Sequence, residues 1–199
     1  MQTIPNHYFD NVIRTIENIP FATVDEIVDV LMQAYASSRK VYLFGNGGSA
    51  ALASHFACDL GKGAANGSGK RFQALALTDN VPMMTAWAND ARYDDIFAEQ
   101  LRSFLQLNDV VFAISGSGNS PNVLNALTAA REMRAFTVGL TGFKGGKMKA
   151  LCDLCVVVPS ENMQVIEDAH LSVTHSIFTA VRQRLCEWSQ SDTGHQPLH

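Results

Sequence analysis

Two stretches of this chain pair histidine with carboxylate at helical spacing. His55 and Asp59 are four residues apart, so on a helix they share one face. Their neighbours Ala50, Ala51, Ala53 and Ala57 are small and allow close packing around a polar pair. A later stretch carries Glu167, Asp168, His170 and His175. Asp168 and His175, seven apart, fall on nearly one stripe, whereas Glu167 and His175, eight apart, are offset by about 80° and can still reach one cavity. These side chains are ligands for zinc or another divalent ion, and equally the groups of general acid–base catalysis. Either set alone also fits a hydrogen-bonded structural pair, and a lone histidine on a long amphipathic helix is more often packing or surface than ligand. Two such sets on two helices are harder to assign to structure alone.

A different chemistry is written in the glycine- and serine-rich turns. Gly45-Asn46-Gly47-Gly48-Ser49 and Ser115-Gly116-Ser117-Gly118-Asn119-Ser120 each follow an apolar run, Val41 to Phe44 and Val110 to Ile114. Each precedes a stretch that reads as helix. Glycines let the backbone approach a ligand, and the free amides and dipole of a helix start favour a phosphate. The serines add hydroxyl donors. Two such loops in one chain point to a phosphorylated small molecule, although glycine and serine are also ordinary in strand-to-helix turns. Asp90, after Trp87, reads either as a partner for a ligand hydroxyl or, more simply, as a cap for the next helix near Arg92. His7, His195 and His199 lie in terminal segments without a partner pattern and read as solvated.

The elements that must hold these residues alternate. Two helices open the chain, at about Asn6 to Glu17 and from near Thr23, where Glu26 three residues on forms a capping-box signature. Strands are expected at Val41–Phe44, Phe72–Leu77, Asp109–Ile114, Phe136–Leu140 and Leu154–Val158. Helices are expected at about Ser49–Leu60, Val81–Asn89, Asp94–Phe104, Ser120–Met133, Lys147–Leu151 and Asn162–Glu187. Short apolar strands alternating with helices predict a doubly wound parallel α/β sandwich, whose ligands sit beyond the carboxyl ends of the strands at the switch point. Residues Gly61 to Lys70 read as a flexible connection, a lid or a subunit contact. Residues 1–188 form the expected domain and 189–199 a polar tail.

Bulk properties narrow the function classes. The 199 residues suffice for one domain with a sizeable core, 47% are hydrophobic and 17% charged, and the net charge is −4. That balance argues against a nucleic-acid partner held by bulk electrostatics. Met1 to Val12 lacks the apolar core of a signal peptide, and no stretch is long enough to cross a bilayer, so a cytoplasmic location is the default. Cys152 and Cys155 form a C-x-x-C without a second pair; with Cys58 and Cys186 they read as free thiols.

Together with Ala88-Asn89-Asp90, Pro121-Asn122 and Leu140-Thr141-Gly142, the two loops resemble the sugar isomerase (SIS) domain over nearly the whole chain. Within it they are most similar to phosphoheptose isomerases. The resemblance implies a single SIS domain: a five-stranded parallel sheet flanked by helices, a flavodoxin-like three-layer sandwich with extra N-terminal helices. It implies a homotetramer with active sites between subunits, and conversion of sedoheptulose 7-phosphate to D-glycero-D-manno-heptose 7-phosphate through an enediol, for lipopolysaccharide heptose. Ser49, Ser115, Ser117 and Ser120 would bind the phosphate, with Asn46, Gly47, Asn89, Asp90 and Glu167 completing the substrate set. Asp59 would be the base and His175 the second acid–base group. His55, Asp59, Glu167 and His175 would hold zinc or another divalent cation. Asp59 stands where Glu is usual, Glu167 where Gln is usual and Gly116 where Thr is usual, and Lys62 is the nearest match for the family's basic residue. The alternative within the same resemblance is a non-catalytic SIS protein that binds phosphosugars or associates with the bacterial replication initiator. Such proteins lack the complete histidine and carboxylate sets.

Overall fold

The computed structural model describes residues 3–64 and 70–193, with side chains to Trp188. Its elements run α1 (Ile4–Glu17), α2 (Phe21–Ala36), β1 (Lys40–Gly45), α3 (Gly48–Cys58), β2 (Gln73–Ala76), α4 (Val81–Asp90), α5 (Ala98–Phe104), β3 (Val110–Ser115), α6 (Pro121–Glu132), β4 (Phe136–Thr141), β5 (Leu154–Val157) and α7 (Met163–Thr193). The five strands are parallel in the order β2-β1-β3-β4-β5, as expected for the doubly wound sandwich.

Alternation along the strands divides the core. Val41, Leu43, Val110, Phe112 and Ile114 face a layer built by α2, α3 and α7. Tyr42, Phe44, Val111 and Ala113 face the layer of α5 and α6. Because successive side chains of a strand point to opposite faces, a strand covered on both sides must be apolar throughout, and β3 is buried at all six positions. The edge strand β2 departs from that pattern: Leu75 is exposed.

The order in which strands are added to the sheet reverses between β1 and β3. The helix after β1 packs into the first layer through Ala53, Phe56 and Ala57, and the helix after β3 into the second through Val123, Ala126 and Leu127. Their N-termini therefore diverge around a crevice at the carboxyl ends of β1 and β3, where such sheets bind ligands.

Several expectations need correcting. The capping box at Thr23 does not form: α2 starts two residues earlier, at Phe21, with Pro20 as its cap and no side-chain cap bond. The Pro20 carbonyl takes the amides of Thr23 and Val24 instead. The helix expected from Asp94 is a 3-10 turn (Tyr93–Asp95) followed by α5. Asn125 Nδ2 donates to the Asp94 carbonyl and to Asp95 Oδ1 at 3.1 and 3.0 Å, which diverts that carbonyl from a regular helical ladder. Asp90 caps nothing; it accepts from its neighbour Asn89 at 2.7 Å, and Arg92 pairs with Asp95. The last helix continues through Thr193, past the point where the polar tail was expected to start. Residues 65–69, half of the Gly61–Lys70 connection expected as a lid or a subunit contact, and 194–199 lie outside the described residues. Among the described residues no helix is long and apolar enough to cross a membrane.

Candidate active site

His55 sits in the last turn of α3, and Asp59 opens a π-type turn, Asp59–Gly63, in which the Ala64 amide donates to the Asp59 carbonyl at 2.9 Å. One-turn widenings of this kind recur at functional positions because they redirect the side chains that follow. The turn lies against α7: a Cβ on Gly63 would come within 2.7 Å of the Phe178 ring, so only glycine permits that approach. α7 in turn delivers His175. His55 Nε2 lies 3.5 Å and His175 Nε2 4.0 Å from Asp59 Oδ2, and the two Nε2 atoms are 3.4 Å apart. Asp59 is mostly covered, whereas both imidazoles are half exposed. Three potential ligand atoms thus lie within 4.8 Å of one another. Tetrahedral zinc with ligand bonds of about 2.0–2.2 Å holds its donors roughly 3.3–3.5 Å apart, so the trio fits such an ion after shifts of a few tenths of an ångström.

The serine loops build a separate cavity of about 190 Å³, lined by Asn46, Ser49, Ser115, Ser117, Ser120 and Glu167 among others. Gly45 lets the first loop meet β3, since a Cβ there would lie 2.7 Å from the Ile114 carbonyl oxygen. Gly47, at φ +54°, turns the chain into α3. Asn46 and Asn122 exchange amide hydrogen bonds at 2.9 and 2.8 Å, and Tyr93 Oη donates to Asn46 Oδ1 at 3.1 Å. The two loops are thereby locked to each other across the crevice. Ser120 precedes α6 without capping it by its side chain; its hydroxyl lies 3.4 Å from that of Ser115, inside the cavity. Asn119 braces the second loop by donating to the Ser117 carbonyl at 2.9 Å and accepting from the Lys147 amide at 3.1 Å. The space that a Thr side chain would take at Gly116 is filled by Met163, whose sulfur lies 2.5 Å from where a Cβ would stand.

Glu167 does not join the histidine–aspartate cluster. Its carboxylate lies against Gly48 at the start of α3, with Oε1 3.1 Å from the position of a Gly48 Cβ. A negative group is favoured at that helix N-terminus, which accommodates a Glu where Gln is usual. The 80° offset between Glu167 and His175 has this consequence: one residue serves the serine cavity and the other the cluster. Asp168 accepts from Tyr8 Oη at 2.5 Å and so ties α1 to α7; this bond, with the carboxylate charge, pushes the Tyr8 pKa up to about 12. Asn89 and Asp90 stay on the exposed end of α4 and line neither cavity. Lys62 is exposed in the π-type turn.

A second cavity of about 290 Å³ opens between α3 and α7, lined by Ser49, His55, Glu167, Asp168 and His170 among others. Ser49 and Glu167 border both cavities, so the two adjoin. His170 is buried, and burial holds its pKa down, to about 4, against a weaker opposing pull from the Thr141 backbone. Sequence reasoning did not single out Asn122, Tyr93, Met163 or Tyr8. Asn122 stood within the second motif; the other three reach the site through tertiary packing that no local pattern announces.

Residues 7–142 match the model of the SIS domain family. The chain is similar to the phosphoheptose isomerase of Helicobacter hepaticus, with 35% identity over 196 residues, 98% of this chain and 95% of the relative. It is also similar to that of Rhodospirillum rubrum, with 40% identity over 163 residues, 82% of this chain and 86% of the relative. Among solved structures it is similar to the phosphoheptose isomerase of Neisseria gonorrhoeae, with a TM-score of 0.83 and 31% identity over 89% of this chain and 96% of that one.

Proposed function

The chain belongs to the SIS domain family, within its phosphoheptose isomerase branch, and from that membership we propose that it interconverts sedoheptulose 7-phosphate and D-glycero-D-manno-heptose 7-phosphate. The observation that carries this reading is the adjacency of two chemistries. A cavity of serine hydroxyls adjoins one bordered by His55, the first member of the histidine–aspartate cluster.

In this reading Ser49, Ser115, Ser117 and Ser120 hold the phosphate, with the N-terminus of α6 behind it. The open-chain sugar then runs along the groove toward the cluster. Asp59 takes the proton from the carbon beside the carbonyl, exchanges it with solvent, and delivers a proton to the former carbonyl carbon. Both histidine contacts of Asp59 use Oδ2, which leaves Oδ1 for that proton. His175 carries a proton between the two oxygens of the enediol, so that carbonyl and hydroxyl exchange places. His55, Asp59 and His175 would hold zinc or another divalent ion, which when bound polarises the carbonyl and offsets the developing negative charge.

We further infer a homotetramer, a cytoplasmic location and a role in lipopolysaccharide heptose supply. Support for assembly comes from α1 and the start of α2, where Ile4, Phe9, Ile13 and Phe21 are 87, 63, 56 and 52% exposed. An apolar face of that kind calls for cover, and the half-exposed imidazoles suit a site closed by a neighbouring subunit. The test is conversion of sedoheptulose 7-phosphate to the aldose, followed by chromatography with mass detection, with and without added zinc. Conversion that vanishes in Asp59→Asn and His175→Ala, with phosphate binding intact, supports the roles. Phosphosugar binding without any conversion in the wild type supports the non-catalytic alternative instead.

A further inference from the structure

His170 lies on α7 between Glu167 and His175, and the chemistry above makes no use of it. It is 1% exposed. Among the described residues neither ring nitrogen makes a hydrogen bond of normal geometry, and the Thr141 backbone exerts only a weak pull on the ring. A neutral imidazole carries one N–H and one bare lone pair, and leaving such a group buried and unpaired costs about 1–3 kcal/mol. A leucine or methionine would fill the same volume without that cost, so packing alone does not account for a histidine here.

His170 is among the residues that line the 290 Å³ cavity between α3 and α7. The two adjoining cavities differ in chemistry. The first offers serine hydroxyls and helix N-termini. The second adds Asp168 to the Glu167 that borders both, and carboxylates repel a phosphate while accepting from hydroxyl groups. A ligand with a phosphate at one end therefore has one favourable orientation, its hydroxyl-bearing chain in the second cavity, which His55 also borders.

We propose that His170 is a specificity-determining residue of a polyol subsite, its imidazole hydrogen-bonding a hydroxyl of the carbon chain between the phosphate and the reacting carbons. Both nitrogens are closed to bulk water in this conformation, so engagement requires the ring to turn or the cavity wall to shift. The subsite rests on the isomerase reading for the identity of its ligand.

The experiment is calorimetric binding of two probes, inorganic phosphate and a seven-carbon alditol 7-phosphate that cannot isomerise, to the wild type, His170→Leu and His170→Gln. The expected result is an affinity for the alditol phosphate about tenfold weaker in His170→Leu, one hydrogen bond's worth, with partial recovery in His170→Gln. The affinity for inorganic phosphate stays put. An unchanged ratio of the two affinities in His170→Leu overturns the proposal, and so does an equal loss for both probes. A second measurement needs no variant: the imidazole 15N shifts of His170 in the wild type move with the alditol phosphate and not with inorganic phosphate. Shifts indifferent to both, or equal for both, overturn the proposal. Neither readout depends on turnover. A wild type that binds the alditol phosphate through His170 but isomerises nothing sinks the function and leaves the subsite standing.

Discussion

Acidification should unfold this protein partly through one residue. His170 has its folded pKa lowered by burial from 6.5 to about 4, while the unfolded chain takes a proton near the ordinary value. Between those limits the unfolded state binds more protons than the folded one, so stability rises with pH across that window. The contribution is complete above about pH 6.5, falls as the pH drops and levels off below about pH 4. The gap of about 2.5 pH units corresponds to about 3 kcal/mol, at 1.36 kcal/mol per unit, a large share of a typical domain's stability. The assay is urea unfolding of metal-free protein at intervals from pH 4 to 8, wild type against His170→Leu. Other titrating groups are common to both proteins and cancel in the difference. The variant should be the less sensitive to acid, by about 3 kcal/mol across the window. Parallel stability curves would refute the reasoning, because they would mean that His170 protonates as readily in the folded state as in the unfolded one.

Three other perturbations test other links. Gly116→Thr should destabilise by about 1–3 kcal/mol through overpacking against Met163, and adding Met163→Ala should recover most of the loss in thermal melts. Asp109, buried with its carboxylate accepting from the amides of Lys40 and Gln106 at 2.9 Å each, joins the starts of β1 and β3. Asp109→Ala should cost about 3 kcal/mol in urea unfolding, since two amides lose their partner. Zinc should bind at about one ion per chain in competition with a chromophoric chelator. His55→Ala should weaken it by more than about tenfold, while Glu167→Gln should leave it nearly unchanged because Glu167 stands apart from the trio.

The sheet was legible because its information is local. The apolar runs Val41 to Phe44 and Val110 to Ile114 are short and read as strands covered on both faces, and each is followed by a glycine- and serine-rich turn. The switch point followed from where those turns fell. Element ends were less legible: Pro20 took the capping role that Thr23 and Glu26 advertised, and a side chain from α6 broke the expected helix at Asp94. Within the site, the four-residue spacing of His55 and Asp59 was enough to place them together. Helical phase gave the offset of about 80° between Glu167 and His175 and still let both reach one cavity; it could not show that Glu167 would settle on the start of α3, away from His175. Nor could it show the π-type turn at Asp59, because that turn depends on how closely α7 packs at Gly63.

The central claim is that Asp59 moves a proton between adjacent carbons of a phosphorylated sugar. The most direct measurement is isomerisation of sedoheptulose 7-phosphate in deuterium oxide, with the aldose product read by proton NMR and mass. Transfer through a base that exchanges with solvent predicts deuterium at C2 of the aldose, and predicts that Asp59→Asn abolishes both the product and the label. Product free of deuterium at C2, or Asp59→Asn working at the wild-type rate, would contradict the account.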